Sequence, residues 1–236
     1  MANIITLGSL YLDGCPAEIG TKYNPGQAIE LGETALGKEI NWIVANSMLI
    51  ADRCILINVS WNDLHANSLI FGKEVAIGGY HYQARLLKVG TKRRDPNEWD
   101  AALDLVGEDN ELWHWENTFF WGQERPTDYQ ASRSVYRGYY SARNLGWPSS
   151  GYRFVSLGFR PVLVPLVTED ISPTLLGQRV MLWGGQSIVF GRMEDVSAYD
   201  VVISNGDGAL SHDFGTRLYD GRIVVDRSSI AGMQNI

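Results

Sequence analysis

Short apolar runs separated by pairs of turn-forming residues recur along much of the chain, and this pattern is typical of β-hairpins. Residues 42–50 are apolar enough for either a strand or a short helix. Residues 161–167 carry prolines, which favours an edge or terminal strand. Residues 199–204 form a further predicted strand, which a turn at residues 205–208 ends. The remaining predicted strands cover residues 54–59 and 67–71, and the predicted hairpins join residues 74–77 to 80–89, 178–183 to 187–192, and 216–219 to 222–226.

One helix has clear boundary signals. Asp95 is the predicted N-cap, Pro96 occupies the first helical position, and Glu98 completes a capping box. Gly107 ends the helix. The apolar residues between these signals recur at the spacing of one helix face and are Trp99, Ala102, Leu103 and Val106.

Changes in this pattern divide the chain into three parts. Residues 1–40 are rich in glycine and turn residues and are predicted to form an arm of short strands and loops. Residues 41–168 contain the helix and the firmest strand patterns. Residues 169–173 have the composition of a linker and begin a small β module that covers residues 169–236.

The composition is that of an acidic protein without a disulfide framework. The net charge of −7 and the sequence pI near 5.1 argue against a general nucleic-acid binder and against binding to anionic membranes. Cys15 and Cys54 are too few cysteines for a disulfide scaffold, which favours a reducing compartment. No basic leader opens the sequence and no apolar run is long enough for a bilayer span. We therefore expect a cytoplasmic protein.

Residues 113–160 differ in composition from the rest of the chain. They hold 13 of the 26 aromatic residues and six arginines but no lysine, and their net charge is about +3. Such a stretch is either a rigid core or a recognition surface, because Tyr, Trp and Arg dominate binding hot spots. Arg125, Tyr129 and Asn144 belong to this crowded stretch. The candidate ligand-binding residues are Arg133, Tyr136, Tyr139, Tyr140, Arg143, Trp147, Tyr152 and Arg153.

A series of motifs follows one another through the middle of the chain. They are the helix with Asn-Glu-Trp-Asp at residues 97–100, then Trp113-His-Trp115, Val135-Tyr-Arg-Gly138, Ala142-Arg143 and Gly158-Phe-Arg160. Over residues 75–165 this order resembles the formylglycine-generating (sulfatase-modifying) enzyme family, related C-type-lectin-like domains, and similar proteins of bacteria and phages. The resemblance implies an α+β fold, with a C-type-lectin-like domain of twisted antiparallel sheet and long loops between β-rich N-terminal and C-terminal flanks. A phage origin implies the host cytoplasm or the virion.

Departures from the family pattern argue against its oxidase chemistry. The resemblance implies a pair of active-site cysteines late in the domain, and this chain has no cysteine after Cys54. Tyr139, Tyr140 and Ser141 also replace part of the Arg-Gly-Gly-Ser-Trp stretch that the family carries. We therefore expect a protein without this catalysis. The motif residues that we interpret as structural are Trp99, Trp113, Arg137, Phe159 and Arg160.

Three classes of function remain open. The first is a non-catalytic protein that binds a glycan, a protein or an anionic small molecule, including the sequestration of a nucleotide immune signal. The second is a structural component of a virion or adhesin, with the β flanks forming contacts in a homo-oligomer. The third is an enzyme of unknown type that uses His114 and Glu116 as acid or base. We expect no cofactor, with calcium at Asn205, Asp207 and Asp213 as the alternative to a turn.

Overall fold

β-Strands dominate the architecture of the protein. The structure, a computed structural model, describes residues 2–126 and 132–236. Strands account for 43% and helices for 11% of the chain. The protein is therefore predominantly β, and the prediction of an α+β class with a C-type-lectin-like domain is wrong. The short helices are too few to form the separate helical layer of an α+β fold.

The elements are mostly short. The described α-helices are α1 Trp61–Ala66, α2 Glu98–Val106 and α3 Asn110–Trp113, and 3₁₀ turns cover Pro173–Leu175 and Arg227–Ser229. None of the described helices is long and apolar enough to cross a membrane. The described strands, in chain order, are β1 Ile4–Leu12, β2 Cys15–Pro16, β3 Thr21–Lys22, β4 Ile29–Gly32, β5 Glu39–Ala45, β6 Met48–Ala51, β7 Leu56–Ile57, β8 Lys73–Ile77, β9 Tyr80–Leu86, β10 Phe119–Trp121, β11 Tyr136–Gly138, β12 Leu145–Gly146, β13 Leu157–Phe159, β14 Pro161–Pro165, β15 Arg179–Gly184, β16 Ser187–Val196, β17 Asp200–Ala209, β18 Gly215–Arg217, β19 Ile223–Asp226 and β20 Gly232–Asn235.

The first sheet has the strand order β2-β1-β5-β6-β14-β9-β8, with β4 also paired to β1. β14 lies between β6 and β9, so the prediction of an edge strand for residues 161–167 is wrong. Pro161 and Pro165 stand at the first and last positions of β14, where a missing N–H removes few ladder bonds. Strands from residues 1–40 pair within this same sheet. The three-part division of the chain stays a prediction.

The first sheet is buried on both faces at its central strands β5, β6 and β14. Along β5, Trp42 and Val44 pack into one hydrophobic cluster, while Ile43 and Ala45 pack into another on the opposite face. A strand covered on both faces needs apolar residues at every position. This explains why residues 42–50 lack the alternation that would have distinguished a strand from a helix.

The second sheet has the order β12-β11-β10-β13-β7-β3 and carries most of the aromatic segment. The residues that the family motifs predicted to be structural are all buried, which confirms that interpretation: Trp99, Trp113, Arg137, Phe159 and Arg160. The Arg160 guanidinium lies 5.1 Å from the Trp99 ring and 4.6 Å from the Phe120 ring. It also donates to the Trp113 carbonyl, so cation and aromatic rings hold this layer together.

The predicted helix is confirmed, but its start is different. Asn97 is the N-cap of α2, and its side chain accepts a hydrogen bond from the third residue of the helix. The predicted N-cap, Asp95, instead accepts hydrogen bonds from the backbone N–H groups of Thr91 and Lys92. Because Asp95 closes the preceding turn, helical geometry begins two residues later than the capping pattern predicts.

Helix α1 has no counterpart among the predicted elements. Ser60 and Asp63 form a reciprocal capping box at its start. Turns follow it, so the prediction of a strand over residues 67–71 is wrong. Its buried side chains, Trp61 and Leu64, anchor it to the main core.

The C-terminal sheet has the order β18-β19-β17-β16-β15-β20. The predicted hairpins β15–β16 and β18–β19 are confirmed. The turn predicted at residues 205–208 is wrong, because β17 continues to Ala209. A register shift between Phe190 and Arg192 accommodates Asn205, whose φ is 50°. The turn-forming residues here therefore build an irregular stretch of strand.

Candidate ligand-binding site

An open cleft of about 570 Å³ lies on the second sheet. Six of its ten lining residues are aromatic, and we call it the aromatic cleft. Four of the eight candidate ligand-binding residues meet there. The lining residues are Phe119, Tyr136, Tyr139, Tyr140, Pro148, Ser149, Tyr152, Phe154, Ser156 and Leu157.

Strand pairing builds one wall of the aromatic cleft. Phe119 in β10 and Tyr136 in β11 bring their ring centroids within 4.2 Å. Tyr139, which follows Gly138 and itself has a φ of 77°, stacks on Phe119 at 4.5 Å with an interplanar angle of 13°. Tyr140 meets the Tyr139 ring edge-on at 4.7 Å and stays 78% exposed. The wall is a stack of rings that ends at the solvent.

The opposite wall comes from the loop after β12. Tyr152 and Phe154 stack at 5.4 Å with an interplanar angle of 11°, and each is about half exposed. The loop is anchored at Ser150, whose N–H donates to the Ser132 carbonyl at 2.6 Å and whose hydroxyl lies 2.7 Å from that of Ser134. The two exposed rings are therefore presented on a fixed backbone.

The chemistry of the aromatic cleft is neutral. None of its ten described lining residues carries a charged side chain. Burial raises the pKa of Tyr136, and the nearby Tyr140 and Tyr152 raise it further. The Tyr136 hydroxyl therefore stays protonated at neutral pH and can donate a hydrogen bond. Apolar ring faces with a few hydroxyls are the usual lining of a small-molecule or sugar pocket.

Arg143 does not line the cleft. Its Nε and Nη2 atoms lie 2.6 Å from carboxylate oxygens of Glu108 and Asp104, and Nη1 lies 3.7 Å from Asp100. The hydrogen bond to Glu108 is the largest of the effects that raise the pKa of Arg143. Three carboxylates around one guanidinium make the local charge negative, which disfavours an anionic small molecule at Arg143, one of the ligand classes that the sequence left open.

Arg153 is also paired with a carboxylate. Its Nε and Nη2 atoms contact both oxygens of Asp63 at 2.8 and 2.7 Å. Burial by itself would raise the pKa of Asp63, but the hydrogen bonds from Arg153 and Ser60 outweigh it and hold that pKa below its usual value. Arg153 therefore fixes the loop that carries Tyr152 to the start of α1.

Trp147 and Arg133 form a separate contact beside the cleft. The Trp147 indole donates to the Thr91 carbonyl at 3.1 Å, and the ring packs against the core beneath the second sheet. Arg133 Nη1 donates to the Trp147 carbonyl at 2.6 Å. Of the two interpretations of the aromatic stretch, rigid core or recognition surface, the half-buried Trp147 ring supports the core.

Comparison with known proteins gives no relative, because no family model, curated protein or solved structure matches the chain. The resemblance to the formylglycine-generating enzyme family therefore stays a prediction. The interpretation of the site follows from its geometry alone.

Six of the ten lining residues were not among the sequence candidates, and two of these six are aromatic. Phe119 lies in a run of aromatics that the pattern assigns equally well to the core, and Phe154 follows Arg153 with no motif around it. Phe119 is partly exposed in β10, while Phe120 and Trp121 are both buried, so its place in the fold and not an alternating pattern in the sequence marks it as a cleft residue. Tyr129, from the same crowded stretch, lies outside the described residues.

Other candidate chemistry does not converge on the cleft. His114 Nε2 lies 2.9 Å from Arg53 Nη2. The backbone N–H of Glu116 donates a hydrogen bond to Asn110 Oδ1. The predicted calcium ligands Asn205 and Asp207 lie in β17 of the C-terminal sheet. Within residues 2–126 and 132–236, no group of three or more His, Cys, Asp and Glu side chains is arranged to hold a metal ion.

Proposed function

We propose that this protein is a non-catalytic ligand-binding protein whose aromatic cleft binds a glycan. The observation that carries the proposal is the set of six aromatic rings around one open, uncharged cleft. The two free cysteines fit a reducing compartment, and the proposal places the protein in the cytoplasm.

A neutral ligand fits the cleft better than an anionic one. Two of the arginines expected to grip an anion, Arg143 and Arg153, are instead held by carboxylates. A ligand with a phosphate in the aromatic cleft would leave that charge desolvated without a partner from the described lining residues. The neutral members of the expected ligand classes are therefore favoured.

Sugars match the surface that remains. A pyranose ring presents a face of C–H groups that packs on an aromatic ring, while its hydroxyls meet other polar groups at its edge. Tyr139 and Tyr140 offer ring surface, and Ser149 and Tyr152 offer hydroxyls at the rim. A side chain as exposed as Tyr140 gains buried area only when a ligand covers it.

The experiment is a binding screen of soluble oligosaccharides followed by calorimetric titration of the best sugar. Tyr140→Ala should lower the affinity for that sugar by about tenfold, which is the size of effect expected when an aromatic side chain at a binding hot spot is removed. The stability of the Tyr140→Ala protein should differ little from that of wild type, because the Tyr140 ring is 78% exposed in the unliganded protein.

Tyr219→Ala is the matched control, since Tyr219 is fully exposed in the turn between β18 and β19 and lies outside the cleft. It removes the same side chain and should leave sugar affinity unchanged. Equal affinity of wild type and Tyr140→Ala would refute the assignment of the site. Binding of proline-rich peptides in place of every sugar would refute the ligand class.

A further inference from the structure

A second cleft, of about 720 Å³, lies between the first sheet and the C-terminal sheet. Its floor includes Tyr80 of β9 and Phe190 of β16, whose ring centroids are 5.3 Å apart. The Tyr80 hydroxyl donates to the Val180 carbonyl at 3.1 Å, which fixes that ring against the C-terminal sheet. We call this space the inter-sheet cleft, and it shares no lining residue with the aromatic cleft.

Two arginines face one another at the rim of the inter-sheet cleft. Arg179 of β15 and Arg192 of β16 are directly opposite in the strand register, and both are exposed. Like charges in directly opposed positions destabilise a pair of strands. Unless another group offsets the repulsion, this pair lowers the stability of the folded protein.

No carboxylate of the described residues offsets it. Arg192 donates from Nη1 to the Gly177 carbonyl at 2.7 Å, which is a neutral acceptor. Within the described chain, neither Arg179 nor Arg192 lies within 4.0 Å of an Asp or Glu carboxylate. This separates them from Arg143 and Arg153, which are tied to acidic side chains.

The strand irregularity opposite the arginines shapes the same rim. The pairing of β16 with β17 shifts register between Phe190 and Arg192, and Asn205 and Asp207 of β17 lie at this shift and among the lining residues. Asp207 contributes one negative charge, and its Oδ1 atom accepts a hydrogen bond from the N–H of Gly208 at 2.7 Å. Two guanidinium groups therefore outnumber one carboxylate, in a chain whose overall charge is −7. The lining of this cleft therefore carries a net positive charge.

We propose that the inter-sheet cleft binds a small phosphate monoester, with Arg179 and Arg192 holding the phosphate and the rings of Tyr80 and Phe190 packing on its apolar part. A phosphate monoester carries about two negative charges at neutral pH and matches two arginines better than a single carboxylate does. The guanidinium fork is suited to bidentate contact with phosphate oxygens. This site is independent of the sugar proposed for the aromatic cleft.

The test uses phenyl phosphate as the probe and benzoate as its carboxylate counterpart, both titrated into the full chain by calorimetry at fixed ionic strength. Phenyl phosphate should bind more tightly than benzoate. Arg179→Gln and Arg192→Gln should each weaken phenyl phosphate by about tenfold, because each removes charge-assisted hydrogen bonds. Arg93→Gln is the matched control, since it removes one exposed arginine outside the cleft and should leave affinity unchanged.

Thermal melts of the same proteins give a second readout. Without ligand, Arg179→Gln should melt at the wild-type temperature or above it, because the substitution removes a like-charge contact. The same concentration of phenyl phosphate should raise the melting temperature of wild type by more than that of Arg179→Gln, because the variant binds the probe more weakly. The proposal is overturned if phenyl phosphate does not bind wild type, if benzoate binds equally well, if the cleft variants bind like wild type, or if Arg179→Gln is destabilised without ligand.

Discussion

Gly138 and Gly107 form a matched pair for measuring how closely β11 approaches the neighbouring backbone. Their φ angles are 94° and 96°, so a side chain at either position meets the same kind of backbone strain. Their surroundings differ. A Cβ on Gly138 would come within 2.4 Å of the Thr118 carbonyl oxygen, whereas a Cβ on Gly107 has no described atom within 4 Å.

The magnitude follows from separating these two effects. Alanine in such a backbone conformation costs about 1–3 kcal/mol at either site. At Gly138 the clash is with backbone rather than with a flexible side chain, and forced overpacking costs roughly 1–3 kcal/mol more. For a chain of this size, each 1 kcal/mol lowers the melting temperature by about 2–4 °C. Gly138→Ala should therefore melt roughly 2–12 °C below Gly107→Ala.

The assay is thermal unfolding by circular dichroism, supported by urea titration at one temperature. Sugar binding supplies a further check, because Tyr139 follows Gly138 and stacks in the aromatic cleft. Gly138→Ala should lower the affinity for the sugar, and Gly107→Ala should leave that affinity unchanged. Equal melting temperatures for the two variants would show that the close approach to Thr118 does not constrain the protein, and the reasoning would be wrong.

Three further predictions concern charged and thiol groups. Arg143→Lys keeps the charge near Glu108 and should leave sugar affinity unchanged while lowering stability by less than about 1 kcal/mol, measured by calorimetry and thermal melts. Because the pKa of Asp63 is depressed in the folded protein, its contribution to stability is present above its unfolded pKa of about 3.9 and is lost as pH falls through the lower folded value. In urea titrations over this acidic range, the free energy of unfolding should therefore depend less on pH for Arg153→Met than for wild type. An equal dependence in the two proteins would contradict a stabilising role of the Arg153–Asp63 pair. Burial raises the pKa of Cys54 to about 11, so iodoacetamide should label only exposed Cys15 in the folded protein and both thiols after denaturation, as mass spectrometry would show.

Local signals predicted the local parts of the fold. The hairpins β15–β16 and β18–β19 follow from turn residues that lie between the strands they join. Helix α2 follows from apolar spacing within nine residues. The N-cap was misplaced because both Asp95 and Asn97 have capping side chains, and only the turn that Asp95 closes distinguishes them.

The features that the sequence pattern did not predict depend on contacts between residues far apart in the chain. The position of β14 depends on β6 and β9, which are far from it in the sequence. In the candidate site, too, the local sequence predicted some features and long-range contacts determine others. Tyrosines from residues 136–152 share one cleft, but Arg153 pairs with Asp63, 90 residues away. A composition count assigns positive charge to the aromatic segment, while the fold supplies the carboxylates that neutralise it.

The place of β14 in the first sheet also constrains the order in which the sheet can be completed. β6 and β9 are both made before residue 161, but they bond to β14 and not to each other. Until β14 arrives, each has an open row of backbone donors and acceptors, which is a template for pairing with another chain. During synthesis at ~5–20 residues per second, these edges wait several seconds for their partner. A chain stopped shortly before residue 161 would keep them open permanently, so the early half of this protein depends on its later strand to avoid aggregation.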